Sequence, residues 1–202
     1  MTAHNTHLVA PALGHPAISD AESFGSAVWL WMQAAKLHDR PLYALDRMLL
    51  PAIQLGQYVL VMEIDDVGAK HPIAYLGWAN LGTEAEARYV VNPITGLTRE
   101  DWNSGDRMWL IDFVAPFGDA SKLHAASKPL FAKASARFMY HRSHERGVRV
   151  GHLVGTHVTA HDAQAWWKQR PIVSATQLAT NTPSTVPIVS ATQSARIKPN
   201  RG

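Results

Sequence analysis

The segment Arg107-Met108-Trp109-Leu110-Ile111-Asp112-Phe113-Val114-Ala115 places the hardest condition on the fold, because a carboxylate stands in the middle of an apolar strand. Ser104-Gly105-Asp106 before it and Pro116-Phe117-Gly118-Asp119 behind it are turn chemistry, so the strand is short and bounded. Between Ile111 and Phe113, Asp112 faces desolvation, and a buried carboxylate without a partner is costly. Whatever the chain folds into, it has to bring something to Asp112.

A length of 202 residues fits one domain with or without a tail, and 47% hydrophobic residues supply a core. No apolar run approaches the roughly 18 to 20 residues that cross a bilayer. The N-terminus lacks a basic start followed by an apolar stretch, so the expectation is a cytoplasmic protein without a signal peptide. Without cysteine there is no disulfide, no thiolate metal site and no cysteine-borne acyl-enzyme.

The net charge of +3 conceals a segregation. Residues 1–119 carry seven Lys/Arg against fourteen Asp/Glu, a balance of −7. Residues 120–150 carry seven basic groups (Lys122, Lys128, Lys133, Arg137, Arg142, Arg146, Arg149) against Glu145 alone, a balance of +6. Such a patch steers an acidic partner. An acidic protein fits better than nucleic acid, since no stacking aromatics or recognition helix accompany it, and solvation of a surface helix is the plain alternative. His157 and His161, with His141, His144 and His152 nearby, raise the question of a metal site. No Glu lies between His157 and His161, and the expectation is no metal.

Periodicity and turn chemistry divide the chain into a flexible arm at 1–18, a folded domain at 19–170 and a flexible basic tail at 171–202. In the tail, PIVSATQ at 171–177 recurs at 187–193. Ser19 with Glu22 has capping-box spacing and predicts a helix from Ala21 to about Lys36, with Phe24, Ala27, Val28, Trp31 and Ala35 on its apolar stripe. Leu42, Leu45, Leu49 and Leu50 predict a second short helix stopping before Pro51. Residues 57–64 and 72–81 read as strands around the turn Asp65-Asp66-Val67-Gly68. Thr83 with Glu86, another capping-box spacing, opens a helix that Asn92-Pro93 ends. Residues 120–141 read as helical with a kink or break at Pro129, 148–158 as strand and 160–168 as a last helix. The sum is a mixed α/β (α+β) layer in which helices flank a central, mostly antiparallel sheet.

Several segments carry more than periodicity. They are Trp29-Leu30-Trp31-Met32, Leu37-His38, Leu50-Pro51-Ala52-Ile53, Gln57-Tyr58-Val59-Leu60, Pro72-Ile73-Ala74-Tyr75, Trp78-Ala79-Asn80-Leu81, Asp101-Trp102, Ser104-Gly105-Asp106-Arg107 and Trp109 through Asp119. In this order they resemble the toxin-activating lysine acyltransferases, which fatty-acylate internal lysines of RTX protoxins with acyl carrier protein as donor. The resemblance covers roughly residues 25–120 and fades beyond them. It implies an N-acetyltransferase-like fold and a catalytic pair at His38 and Asp112. It also implies acyl carrier protein and an RTX-type protoxin as partners, and a homodimer. No cofactor is expected to be bound, because the donor is the phosphopantetheine thioester of acyl carrier protein. The family pattern has Ser-Pro and an Arg around its histidine, whereas this chain reads Gln33-Ala34-Ala35-Lys36-Leu37-His38-Asp39-Arg40, with one residue added before His38 and one missing before Pro41.

The residues permit that chemistry. Acylating a lysine means removing a proton from an ammonium whose ordinary pKa is about 10.4, and a histidine near neutrality is suited to take it. A carboxylate on the far ring nitrogen would fix the tautomer and balance the imidazolium. Coenzyme A enzymes of this fold present a glycine-rich loop to pyrophosphate after the equivalent strand. Here Pro116-Phe117-Gly118-Asp119-Ala120-Ser121 offers one glycine and an acid, so Asp119 or Ser121 reads as a helix cap and the donor as a carrier protein. Trp31 is a candidate wall of an acyl channel, with core packing as the alternative. Arg107 is a candidate for holding a substrate carboxylate or phosphate, with pairing to a neighbouring acid as the alternative. The rival functions are an acyltransferase of the same fold acting on a small amine or another protein, and a non-catalytic protein that binds an acyl chain or a carrier.

Overall fold

The computed structural model describes residues 5–35, 37–140, 149–172 and 189–190. Seven strands form one sheet whose spatial order follows the chain: β1 (Asn5–Val9), β2 (Tyr58–Ile64), β3 (Lys70–Leu81), β4 (Arg107–Val114), β5 (Ser135–Tyr140), β6 (Arg149–Val154) and the two-residue β7 (Val189–Ser190). The helices are α1 (Asp20–Gln33), α2 (Leu45–Met48), α3 (Leu50–Gln54), α4 (Thr83–Val91), α5 (Ala120–Leu130) and α6 (Ala160–Gln169). Neighbouring strands are antiparallel from β1 to β4 and between β5 and β6, while β4–β5 and β6–β7 are parallel. This is the mixed α/β architecture with a mostly antiparallel open sheet that the sequence predicts, and it is consistent with an N-acetyltransferase-like fold.

The sheet is buried on both faces because its side chains alternate between two sets of helices. Along β2, Tyr58, Leu60 and Met62 join Leu30, Trp31, Leu49 and Tyr75 under α1 to α3, whereas Val59 and Val61 join Leu76, Trp78, Leu123 and Phe131 under α5. A third cluster gathers Leu81, Tyr89, Trp102, Trp109 and Val150 beneath α4. Ser19 caps α1 as its spacing predicts, its Oγ accepting from the Glu22 N–H at 3.2 Å.

One irregularity on β4 positions the site. Gly77 faces Asp112 across the β3–β4 ladder while Trp78 faces Leu110, so Ile111 is an extra residue and β4 is bulged there. Before the bulge Leu110 joins the core under α5, and beyond it Val114 joins the core under α1. A one-residue insertion exchanges the faces of every residue after it, and this one turns Asp112 toward the α1–α4 side of the sheet. On the other flank, β4 and β5 pair at Trp109↔Arg137 and Leu110↔Phe138, below the level of Asp112.

Several local expectations are corrected. The stretch 1–18 is not a loose arm throughout, since Asn5–Val9 pairs as an edge strand against Ile64–Leu60, a distant partner that no local pattern announces. Helix α1 stops at Gln33, with Ala34 extended at its C-cap, short of the expected Lys36. The short helix expected before Pro51 ends at Met48, and a further helix not expected there, α3, follows at once with Pro51 in its first turn, where a missing N–H is harmless. Gly82, not Thr83, occupies the N-cap of α4, and Glu86 is carried into the core instead of back to the helix end. Residues 135–140 form β5 and not a helix: α5 ends just after Pro129, and the next segment finds backbone partners on both sides in β4 and β6. Lys36, His141, Arg142, His144, Glu145, Arg146 and, apart from Pro171-Ile172 and β7, the repeat-containing tail lie outside the described residues.

Candidate active site

Asp112 is 7% exposed, and its Oδ2 has no hydrogen-bond partner. Burial pushes its pKa up to about 7, against the opposing pull of the Arg40 guanidinium. With Arg40 and Tyr89 it lines a cavity of about 130 Å³ whose apolar wall includes Met48, Ile94, Ile111 and Met139. Burial, and secondarily the Asp112 charge, pushes the hydroxyls of Tyr75 and Tyr89 well above their ordinary pKa. Tyr75 Oη is also unpartnered, as is Trp31 Nε1. Unsatisfied buried polar atoms are rare in folded proteins. Trp31 and Tyr75 both belong to the core under α1, the side of the sheet toward which Asp112 is turned.

His38 lies in the turn after α1, where its N–H donates to the Ala34 carbonyl at 3.1 Å. The half-exposed ring sets Nε2 3.1 Å from Asp39 Oδ1. His38 is not among the residues lining the Asp112 cavity; Arg40, two positions on, is. The structure thus brings Asp112 together with Arg40 and sets His38 beside Asp39. Trp31 is in the core under α1, with the Arg40 guanidinium 5.2 Å from its ring centre. Trp29 is the tryptophan of this helix that reaches the surface, in contact with the exposed Phe117 at 5.4 Å.

Arg107 takes the pairing alternative. It is buried, and its Nη1 donates to Glu86 Oε2 at 2.7 Å and to the Pro171 carbonyl at 2.9 Å. The same fully buried Glu86 accepts from Arg137 Nη1 at 2.6 Å and from Trp109 Nε1 at 2.8 Å. Arg137 Nη2 donates to the Arg170 carbonyl, so α4, β4, β5 and the end of α6 meet at one carboxylate. Sequence reasoning missed this network. The available signals were an acid between the small residues Ala85 and Ala87, and a lone arginine inside an otherwise β-forming segment.

The basic segment is thinner on the surface than its charge count. Arg137 is interior, and Lys122 pairs with Asp119 at 2.9 Å and Glu63 at 3.3 Å. Lys128 and Lys133 are exposed. Asp119 occupies the N-cap of α5, but its side chain goes to Lys122 and not to the helix N–H groups, and Gly118 before it has φ +90°. Among the described residues, no three His, Asp or Glu side chains gather as metal ligands, and no helix is long and apolar enough to cross a membrane.

Comparison with known proteins gives a consistent result. Residues 17–153 match the RTX toxin acyltransferase family. Protein-lysine myristoyltransferase RtxC of Kingella kingae is 36% identical over 145 residues, which are 72% of this chain and 83% of that protein. Protein-lysine myristoyltransferase HlyC of Escherichia coli is 42% identical over 110 residues, 54% of this chain. Protein-lysine palmitoyltransferase CyaC of Bordetella bronchiseptica is 42% identical over 108 residues, also 54% of this chain. The chain spans 61% of the Escherichia coli relative's length and 55% of the Bordetella relative's. The bulged strand, the buried Asp112 and this match across 17–153 lead to one conclusion: the chain belongs to the RTX toxin acyltransferase family.

Proposed function

We propose that this protein is a protein-lysine N-acyltransferase that moves a fatty acyl group from acyl carrier protein to lysine side chains of an RTX-type protoxin and so activates it. It would work in the cytoplasm, where acyl carrier protein is found, and as a homodimer. The observation that carries the reading is Asp112: a buried carboxylate with an unpartnered oxygen and a pKa near neutrality, at a bulge in the open sheet of a family member. Groups tuned toward neutral pH by burial are what acid–base chemistry requires.

In this reading the lysine nitrogen attacks the thioester carbonyl, the C–N bond forms, the C–S bond breaks, and the phosphopantetheine thiolate leaves. His38 takes one proton from the ammonium so that the free amine can attack, and the second proton, lost as the nitrogen becomes an amide, goes to the departing thiolate. Asp39 already lies beside the ring to balance the imidazolium, and the free oxygen of Asp112 is an acceptor for the incoming ammonium. The bulge at Ile111 interrupts the β3–β4 ladder beside Asp112, and a backbone N–H there would suit the oxyanion. The surface lysines Lys128 and Lys133 suit the acidic face of a carrier.

The test is reconstitution with acyl-loaded carrier protein and a protoxin, followed by peptide mass spectrometry. A fatty-acyl mass on protoxin lysine is the expected result. An unmodified protoxin with turnover on free amines would transfer the activity to a small acceptor, and no thioester turnover at all would leave a binding protein.

A further inference from the structure

We propose that Arg40 is the positioning residue for Asp112: the two side chains line one cavity, where the guanidinium charge favours the carboxylate form of Asp112. This rests on Asp112 being the acidic group of the active site. It differs from the sequence expectation, in which His38 was the partner.

The placement of Arg40 follows from its neighbours. Pro41 confines the preceding residue to extended backbone, and the Arg40 N–H donates to the Leu37 carbonyl at 3.0 Å, so the turn has little freedom. The side chain then lies over the Trp31 ring, with Nη1 donating to Met48 Sδ at 2.9 Å. An indole face and a thioether are weak partners for a group with five N–H donors. Among the described residues, no carboxylate forms a direct ion pair with Arg40, so most of its donor capacity remains for the cavity. Asp112 lines that cavity with an oxygen that nothing satisfies.

The other elements around Asp112 supply no competing cation. Helix α4 contributes Tyr89 and β3 contributes Tyr75, both neutral phenols held above their ordinary pKa. Met48 from α2, Ile94 from the loop after α4, and Met139 from β5 carry no charge. Burial raises the Asp112 pKa, and the Arg40 charge opposes it. A nearby opposite charge favours the charged form of a carboxylate. Neutralising Arg40 therefore raises the Asp112 midpoint and reduces the ionised fraction at pH 7.

The experiment is a carbon-13 NMR titration of the Asp112 side-chain carboxyl in the resting full-length protein, run for the parent, Arg40→Gln and Arg40→Lys. The pH–rate profile of acyl transfer is measured on the same three. Arg40→Gln is expected to move the Asp112 midpoint upward by about one unit and the acid limb of the rate profile with it. Arg40→Lys, which keeps the charge but loses the planar stack on Trp31, is expected to stay near the parent midpoint. An unchanged midpoint in Arg40→Gln overturns the inference, as does an equal shift in both variants, which would mean that packing and not charge is at work. The NMR titration needs no substrate, so failure to observe acyl transfer would sink the proposed activity and still leave Arg40 decided.

Discussion

Asp112 stands directly across the β3–β4 ladder from Gly77, and a side chain on that glycine would crowd the Tyr75 hydroxyl. A Cβ there would lie 3.1 Å from Tyr75 Oη. Tyr75 is fully buried and stacked on Tyr58 with ring centres 6.1 Å apart, so it has little room to yield. Gly77→Ala should lower stability by about 1 to 3 kcal/mol, as overpacking does, read as a reduced urea midpoint. An unchanged midpoint would show that the phenol can move aside.

Asp112→Asn separates chemistry from stability. The parent Asp112 has a folded-state pKa of about 7, above its ordinary 3.8, so the folded protein holds a proton that the unfolded chain releases. That contribution to stability is complete below the lower value and is lost as pH rises through the upper one. Asp112→Asn removes the dependence. The variant should melt higher than the parent at pH 8, with the gap closing toward pH 5, while acyl transfer falls by roughly 10²- to 10⁴-fold. Calorimetry across this range checks the first part, and retained transfer would remove Asp112 from the mechanism.

His38 sits in a surface turn and contributes little packing. His38→Ala should therefore leave the urea midpoint within about 0.5 kcal/mol of the parent, as surface substitutions do, while transfer falls by a similar 10²- to 10⁴-fold factor expected for a lost general base. Near-full activity would reassign the base.

Glu86→Ala leaves Arg107 and Arg137 buried without their carboxylate. Removing one partner of a buried ion pair costs about 3 to 5 kcal/mol, which should appear as a large fall in melting temperature. Glu86→Gln keeps the shape but not the charge and should also destabilise. A small effect from both variants would mean that water replaces the carboxylate.

The sequence was most readable where the deciding forces are local. Ser19 caps its helix, the turn at Asp65–Gly68 joins two strands, and the strand around Asp112 ends at a Pro/Gly turn, all from short-range chemistry. The element errors arose where distant partners decide. Asn5–Val9 becomes a strand because β2 offers it an edge, and Ser135–Tyr140 because β4 and β6 lie on either side. Glu86 has cap spacing in the sequence, yet two arginines from β4 and β5 draw it inward. At the candidate site the burial of Asp112 was legible from its apolar neighbours. Its cavity partner was not, because the turn 37–40 brings Arg40 to the cavity and leaves His38 half-exposed beside Asp39, and that choice depends on the Trp31 and Met48 contacts of Arg40.

The two paired positions between β4 and β5 give the sheet a narrow waist. Four strands lie on one side of it and three on the other, with fewer paired positions across it than between β3 and β4 or β5 and β6. Glu86 adds a side-chain tie by gripping an arginine from each half, Arg107 from β4 and Arg137 from β5. This three-residue clasp ties β4 to β5 at the end of β4 remote from Asp112, so loosening it would weaken the seam between the two halves without touching the Asp112 cavity.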